Sequence, residues 1–402
     1  MTSTGVLGGD IPVGEVPVGE VPGGEVPVGE VPGGEVPGGE IIVSGVTDFA
    51  ALEPRWRDLE ARSASSFFQS WTWTGCLAEE RFSDPVLVEA REAGRTVALA
   101  LFNRRAGALH LGESGDPALD CVYIEYNGVL AEFGREAELT TRVLRAVRDG
   151  LRAAAGKPRL VLSGVRPVTA ASAAEIGLIR RVRSLSAPLV DLTNNTNCFL
   201  DGRSANTRQQ LRRSVRDYTK IGGIAIERAE TLSRALEFLD DLAELHQASW
   251  MARGKTGAFA NPFFGRFHRA LIGRGMDLGE IDLLRVTAGS RTIGFLYNFR
   301  YRGHSLAYQS GFDYAGAGPH GKPGLTCHHE AIRYAAGQSL TRYDFLAGDD
   351  RYKRSLSDRA ETLHWIEVGS RWSPRFLARL ARDFVAAGGH RRGVSPPFAP
   401  AE

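Results

Sequence analysis

Apolar residues recur along this chain at two spacings, one close to a helical turn and one of every second position, and the two alternate in the same order twice. Ala50, Leu52, Trp56 and Leu59 share one face behind Asp48, an N-cap residue type, and predict a helix over Phe49–Ser63. Two short runs around Ala93-Gly94, between Val86 and Leu101, predict a β-hairpin, with a further strand at Ala108–Leu111. A helix over Arg135–Ala155 and a strand over Arg159–Ser163 complete this series. The second series opens on a helix Leu232–Arg253, with Ser233 near its start and Leu236, Leu239, Leu242, Ala243, Leu245 and Trp250 as its apolar positions. A hairpin of Ile281–Val286 and Arg291–Arg300 follows, then a strand Ser305–Asp313, a helix Leu325–Gly337 and a strand Arg342–Ala347.

The two series align under one shift of 196 positions. It places Leu87 on Leu283, Arg95-Thr96 on Arg291-Thr292, Arg104 on Arg300, Gly107 on Gly303 and Ser114-Gly115 on Ser310-Gly311. The shared order of elements predicts an α+β protein made of two copies of a mixed sheet flanked by helices. The expected units are residues 41–200 and 201–387.

Outside these units the pattern disappears. From Ile11 to Glu40 the chain repeats a pentapeptide of the Val-Pro-Val/Gly-Gly-Glu type. Pro removes a backbone donor in every unit, Gly raises backbone entropy and Glu adds repulsion, so residues 1–40 are expected to be a disordered tail. Residues 388–402, rich in Pro and Arg, are expected to be a second one. The formal charge of +2 conceals an asymmetry: residues 1–40 hold seven acids and no Lys or Arg, so the remainder carries +9. A body of that sign suits a polyanionic ligand, a phosphate-bearing cofactor or a nucleic acid.

Cys76, Cys121, Cys198 and Cys327 are far apart and form no Cys-x-x-Cys pair, so reduced thiols are expected. No stretch has the roughly 20 apolar residues that span a bilayer, and no basic leader or apolar core marks a signal peptide. A cytoplasmic protein is the expectation.

Candidate chemistry gathers in the second unit. The strand ending at Asp313 runs into Gly316, Gly318, Gly321, Lys322 and Gly324 before a helix that starts at Leu325. Free amides and the helix dipole at such a junction form an anion site, here assigned to the pyrophosphate of coenzyme A. Two other labels fit less well. Gly316, Gly318 and Gly321 match the dinucleotide fingerprint, but too little chain follows for a dinucleotide fold. Gly316 to Lys322 matches most of a phosphate-binding P-loop, but Pro323 stands where Ser or Thr must hold magnesium.

The next stretch, Arg342 to Arg354, ends a buried strand in a dense polar cluster. Asp344 lies among apolar residues, where a carboxylate needs a partner. Tyr352 can protonate a leaving thiolate, since a phenol of pKa about 10 roughly matches a thiol. Lys353, expected at the surface, can bind phosphate or an oxyanion, with Asp349 beside them facing the substrate. Arg208, Arg212, Arg216 and Lys220 recur every four residues and make one basic helical stripe, a contact for cofactor phosphates, an anionic acceptor or an RNA backbone. Tyr218 is the only aromatic residue nearby, which argues against base reading, and no DNA partner is expected.

Other clusters carry less. Cys327, His328, His329 and Glu330 are adjacent on a helix and cannot converge on one metal, and Arg333 stands where a zinc helix needs its second His. Ser310 lacks the glycines of a nucleophile elbow. No metal is expected. His246, one turn before Trp250, is either a base facing a cleft or a satisfied core histidine.

Residues 46–370 resemble the GNAT-type acyltransferases of the cellulose-biosynthesis CelD-like group, relatives of the Fem-type aminoacyl transferases. The resemblance rests on Tyr343-Asp344-Phe345-Leu346-Ala347-Gly348-Asp349-Asp350-Arg351-Tyr352-Lys353, on Phe68-Gln69-Ser70 with Trp71 and Trp73, and on the Arg-rich helix from Thr207-Arg208. It implies a tandem GNAT-like fold and an acyl-thioester or aminoacyl-tRNA donor. The Arg/Gln-x-x-Gly-x-Gly loop of single-domain GNAT enzymes is not reproduced at Gly316–Gly324.

The leading expectation is therefore an N- or O-acetyltransferase type of enzyme. It would move an acyl group from acetyl-CoA or another acyl-CoA to an amine or hydroxyl of a small-molecule or saccharide acceptor, in cell-surface polysaccharide metabolism by analogy. The alternatives are an aminoacyl-tRNA-dependent transferase and a non-catalytic binding module. The first unit reads Gly112-Glu113-Ser114-Gly115-Asp116 and onward to Asp120 where the second is glycine-rich. Asp116 and Asp120 would repel a pyrophosphate, so this copy is expected to be structural or to form the acceptor side.

Overall fold

Strand β1 (Glu40–Gly45) pairs antiparallel with β2 (Pro85–Glu92), and β2 turns through Ala93 and Gly94 into β3 (Arg95–Arg105). Both turn residues have positive φ, 49° and 75°, as a tight hairpin matched to strand twist requires. Strand β4 (Ala108–Leu111) and the short β5 (Leu130–Ala131) both pair with β3, and β6 (Arg159–Val165) runs parallel to β4. After β7 (Leu178–Asp191) the sequence of pairings repeats: β8 (Ile224–Arg228) on β9 (Ile281–Ala288), β9 on β10 (Arg291–Tyr301), and β10 on β11 (His304–Phe312). Strand β12 (Arg342–Asp344) is then parallel to β11, and β13 (Arg359–Gly369) ends the series. The chain is a computed structural model describing residues 39–150, 159–193, 199–370 and 372–389. The pentapeptide repeat up to residue 38, Cys198 and the tail from residue 390 lie outside the described residues.

The thirteen strands of the described residues form one sheet, in the order β1-β2-β3-β4-β6-β13-β7-β12-β11-β10-β9-β8, with β5 set against β3. The duplication read from the sequence is present even in its irregularities. Strand β3 carries one unpaired residue at Val97 and β10 one at Ile293, again 196 positions apart. Such bulges add local twist and bend the strand. The two copies exchange their last strands: β13 lies on β6 of the first copy and β7 on β12 of the second, and β7 and β13 pair along their length. Neither β7 nor β13 was legible beforehand. Arg180, Arg181 and Arg183 break the apolar alternation of β7, because half of that strand faces solvent.

Helices cover the faces. Phe49–Ala61 is capped by Asp48, whose carboxylate accepts from Ala51 N at 3.0 Å, and buries Leu52, Trp56 and Leu59, each contributing about 1.5–3 kcal/mol. Leu232–Met251 is capped by Thr231 and buries Ala235, Phe238, Leu239, Leu242 and His246. Its buried stripe is thus rotated from the expected one, with Leu236 and Leu245 at its margin. Glu136–Gly150 packs on the first copy's strands and Pro323–Gly337 on the second's. Cys76, Cys121 and Cys327 are free thiols, and among the described residues no helix is long and apolar enough to cross a membrane.

Candidate functional site

Strands β11 and β12 are paired for three residues only, His304–Leu306 against Arg342–Asp344. Beyond them β11 continues along β10 to Phe312 with Tyr308 bulged out of register. The other chain turns away through Leu346 (φ 60°) and bonds to β7 instead, Phe345 N to Pro188 O and Gly348 N to Ser186 O, each 2.9 Å. Two parallel strands that part this way leave a split in the sheet between their ends, where side chains meet instead of backbone ladder bonds.

The expected anion loop stands at the end of β11. Pro323 is the first residue of its helix, so Gly324 and Leu325 lie in the first turn, whose amides lack intrahelical partners. Two of the glycines lie close to neighbouring side chains. A Cβ at Gly316 would fall on the Arg291 guanidinium, and one at Gly324 would press the Phe312 ring at 3.1 Å. Several neighbouring amides already have acceptors. Gly316 N donates to Asp313 Oδ1 at 2.8 Å, His320 N to Asp217 Oδ2 at 3.2 Å, Lys322 N to Ser214 Oγ at 2.8 Å and Gly321 N to Gly318 O at 2.9 Å. The side chain of Lys322 is exposed.

Asp217 and Ser214 belong to the basic helix, Ala205–Thr219, which is locked to the loop helix by Ser214 Oγ and Thr326 Oγ1 at 2.7 Å. Of the basic stripe, Arg212, Arg213 and Arg216 are exposed. Arg208 is turned back on its own chain, donating to Asp201 O and Arg203 O, and Lys220 pairs with Asp217 at 2.8 Å.

The stretch after β12 divides into anchors and cleft residues. Asp344 is fully buried and satisfied: it accepts from Tyr126 Oη at 2.7 Å, Leu346 N at 2.7 Å and Arg342 Nε at 2.9 Å. Its partners span both copies, so it reads as an anchor. Asp349 is exposed and pairs with Arg354. Lys353 is not at the surface. It is buried, and its ammonium donates to Ala347 O at 2.9 Å with Asp350 at 3.9 Å, while burial lowers its pKa. Tyr352 stacks on His328 with ring centroids 5.0 Å apart. Burial, with Asp350 adding to it, holds its phenol well above the ordinary value, so the match to a thiol expected from the sequence fails. His246 is buried with both nitrogens engaged by backbone: Nδ1 donates to Ser310 O at 3.0 Å and Nε2 accepts from Ala258 N at 3.4 Å. That fixes a neutral ring and leaves it no lone pair for catalysis.

The first copy contributes the group the sequence reading missed. Glu125 is buried at the end of β12 and accepts from Ala347 N, so Ala347 bonds Glu125 through its amide and Lys353 through its carbonyl. Burial pushes the Glu125 carboxyl up to about 7, against the opposing pull of Lys353 and the Ala347 amide. A carboxyl of that pKa is half ionised near neutrality, as a general base requires. Glu113, also from the first copy, is pushed up to about 8 by burial and by Asp120. On β7 and β13, Arg183 lies over the Trp365 ring at 4.2 Å, facing the same acids electrostatically. The one sequence signal for Glu125 was its place opposite Val122, Ile124 and Tyr126 in an alternating run, which marks a face but no chemistry. His328 and His329 do not converge: His328 Nδ1 lies 3.0 Å from Tyr343 Oη and His329 Nδ1 2.9 Å from Glu330. Among the described residues no three metal-ligating side chains are grouped.

Comparison with known proteins matches this geometry at the level of fold. Residues 205–354 match the family model for the Acetyltransferase (GNAT) domain, which covers the loop, the split strands and the cluster through Arg354. The whole architecture is similar to FemX, with a TM-score of 0.54 at 10% identity over 84% of this chain and 99% of that one. It is likewise similar to the C-terminal domain of a putative lysylphosphatidylglycerol synthetase from Agrobacterium fabrum, with a TM-score of 0.50 at 15% identity over 86% and 99% of the two chains. L-PGS from Bacillus licheniformis gives a TM-score of 0.50 at 10% identity over 84% and 97%. No curated protein matches by sequence. At these identities the structural likeness establishes the fold, mixed α+β with a GNAT-like arrangement of strands and helices.

Proposed function

We propose that the chain is an acyltransferase that moves an acyl group, acetyl in the simplest case, from a CoA thioester to an amine or hydroxyl acceptor. One observation carries this reading: the split of β11 and β12, inside the segment that matches the GNAT domain, holds the buried Glu125 carboxyl, bonded to the Ala347 amide and raised by its burial. Residues 201–387 present the donor and residues 41–200 the acceptor side. The pyrophosphate lies at the first turn of Pro323–Gly337, held by the amides of Gly324 and Leu325 and by Lys322, with Gly316, Gly318 and Gly321 shaping the loop. The thioester carbonyl points into the split. The acceptor's nitrogen or oxygen attacks it, Glu125 takes the acceptor's proton, the C–S bond breaks and the thiolate leaves. Lys353 keeps the Glu125 side of the cleft positive enough for the carboxylate to form, and Tyr352 hydrogen-bonds the departing sulfur. Since the thioester is already activated, positioning and one base suffice. Calorimetric titration with CoA, acetyl-CoA and longer acyl-CoAs tests the donor. Failure of all of them to bind at millimolar concentration removes the reading.

A second reading, an aminoacyl-tRNA-dependent transferase, is favoured by one feature. Carboxylates of Asp313 and Asp217 already occupy loop amides that a pyrophosphate would use, and the helix bearing Asp217 exposes Arg212, Arg213 and Arg216. Retention of charged tRNA at low salt, lost as salt rises, is the outcome this reading requires.

A further inference from the structure

The first copy contains a buried cation with no acid bound to it among the described residues. Arg81 ends the short helix Ala78–Arg81 and is 2% exposed. Its Nη2 donates to Gly112 O at 3.1 Å, and the Phe82 and Phe267 ring centroids lie 5.1 and 5.3 Å from its guanidinium carbon. Nε and Nη1 are buried with no hydrogen-bond partner among the described residues. The acids that act on Arg81 from nearby are Asp120 and Glu113. Both are committed elsewhere. Asp120 accepts from Ser114 N, Ser114 Oγ and Gly115 N, each at 2.8 Å. Glu113, whose carboxyl is raised by burial and by Asp120, is engaged by the Ser163 side chain.

Further orphaned groups continue from Phe267 toward the split. Trp73 Nε1, His268 Nε2 and Tyr308 Oη are buried and unpartnered. The Trp73 ring lies 5.1 Å from that of Phe267 and 6.0 Å from that of Tyr308, and Tyr308 lies 5.0 Å from His268. Tyr308 is the bulged residue of β11, so this chain of groups reaches the split itself. Indole and guanidinium nitrogens can only donate. A buried donor without an acceptor carries its full desolvation cost, and a buried charge carries more. Such a collection needs an acceptor-rich, negatively charged partner to complete it.

We propose that Arg81 is the receptor for a carboxylate on the acyl acceptor, so that the acceptor is an amino acid or hydroxy acid rather than a neutral sugar or simple amine. The proposal rests on the acyl-transfer reading for the word acceptor, but not for the site. A cation with no directly bound acid, and with Asp120 adding negative charge nearby, suits a singly charged carboxylate over a phosphate dianion. Arg81 offers the N–H groups of Nε and Nη1 to a carboxylate as charge-assisted donors, and the acceptor's amine or hydroxyl then extends toward Tyr308 and the split.

The test is a binding comparison on the full chain that needs no acyl donor. Glycine, β-alanine, serine and glycolate are titrated beside their carboxamides, glucosamine and inorganic phosphate. The expected result is that at least one acid binds about tenfold or more tightly than its amide. In Arg81→Met that preference disappears while the melting temperature holds or rises, since an apolar side chain replaces a buried charge that has no ion pair. Arg81→Lys keeps the charge on a shorter reach with a different set of donors and retains a reduced preference. Equal binding of acids and amides, tighter binding of phosphate, no binding of any acid, or an unchanged preference in Arg81→Met overturns the proposal. If Arg81→Met does not fold, Arg81→Lys decides. An undiminished preference there, with a lower melting temperature, makes Arg81 a clamp for Gly112 only and overturns the proposal as well. Absence of CoA binding would remove the acyl-transfer reading and leave this carboxylate comparison intact.

Discussion

The chain builds the same opening twice and treats it in opposite ways. In the first copy β4 and β6 part after His110 and Val161, and the chain itself returns to close the gap. Asn127 forms a parallel bridge with Val165, and its amide donates to Leu111 O at 2.8 Å and Ser163 O at 3.1 Å, tying the two diverging strands together. Gly164, with φ 64°, lets the strand pass so near that a Cβ there would sit 2.4 Å from Ile124 O. In the second copy no such plug enters between β11 and β12 among the described residues, and side chains face the opening instead. The segment that closes the first split, Ile124 to Asn127, delivers Glu125 to the second. The loops differ in step: 24 residues separate β4 from the helix Glu136–Gly150, but 10 separate β11 from Pro323–Gly337. In the second copy the helix start thus follows closely on the strand that borders the split. A duplicated fold has divided its labour here, with one copy's backbone plug carrying a buried carboxyl to the other copy's split.

The sharpest way to break this division is Glu125→Gln. It should lower kcat by about 10²- to 10⁴-fold, the usual contribution of a positioned base, while leaving acyl-CoA affinity nearly unchanged. In the wild type, activity should rise with pH through about 7 and level off above it, since the ionised carboxylate is the active form. Stability should run the other way. A carboxyl raised from 4.5 to about 7 binds its proton more tightly in the folded chain, so its contribution to stability is lost as pH rises through that window. Thermal melts of Glu125→Gln should lack this slope. Wild-type turnover in the variant would remove Glu125 as the base.

The plug itself is the next target. Asn127→Ala deletes two buried bonds and leaves two carbonyls unsatisfied, and Gly164→Ala forces a side chain into a left-handed site against the Ile124 carbonyl. Each should cost about 2–4 kcal/mol in denaturant melts. Because the plug carries Glu125, residual activity should fall in the surviving folded protein as well. If kcat were unchanged in folded Asn127→Ala, the first copy would be a scaffold alone.

A smaller effect separates the two donors. Asp217→Asn removes a negative charge from the loop and frees the His320 amide in part. Under the CoA reading, affinity for acyl-CoA should rise by about 3- to 10-fold, from the removal of one partly screened like charge. A fall in affinity would mean that Asp217 holds the loop in its binding shape, and no change would place the pyrophosphate elsewhere.

How far the sequence disclosed all this follows from what periodicity can encode. The hairpins, the loop helix and the 196-residue offset were legible because one face of each element is buried and repeats. The exchange of β7 and β13 was not, since it depends on which sheet edge a strand meets rather than on its own pattern. The same limit applied to the site. The residues from Asp344 to Lys353 stood out as a polar cluster after an apolar strand, yet Asp344 proved an anchor and Lys353 a buried donor to Ala347. Glu125 and Arg81 gave almost no signal. Their chemistry comes from burial between two distant segments, and neither burial nor an absent partner is written in spacing.

The smallest expected effect tests the most visible feature of the sequence, the basic stripe. Arg212 and Arg216 are exposed on the outer side of the helix whose Ser214 and Asp217 hold the loop. Surface charges away from buried contacts usually shift stability by no more than about 0.5 kcal/mol, so the double variant Arg212→Gln/Arg216→Gln should melt like the wild type. If the donor is acyl-CoA bound at the helix start, these side chains lie outside its pyrophosphate contacts, and kcat/KM should change by no more than about twofold, mostly at low salt. If the donor is a charged tRNA, the same side chains neutralise phosphates, and each one removed should reduce the slope of log affinity against log salt by about 0.7 to 0.9. The two outcomes differ in kind as well as size: one is a small, salt-screened offset, the other a change of slope. Measured at several salt concentrations with acetyl-CoA and with charged tRNA in parallel, the variant therefore decides whether the stripe is a solvated face or a backbone track. A slope unchanged by both substitutions would leave the division between the copies resting on the split and Glu125 alone.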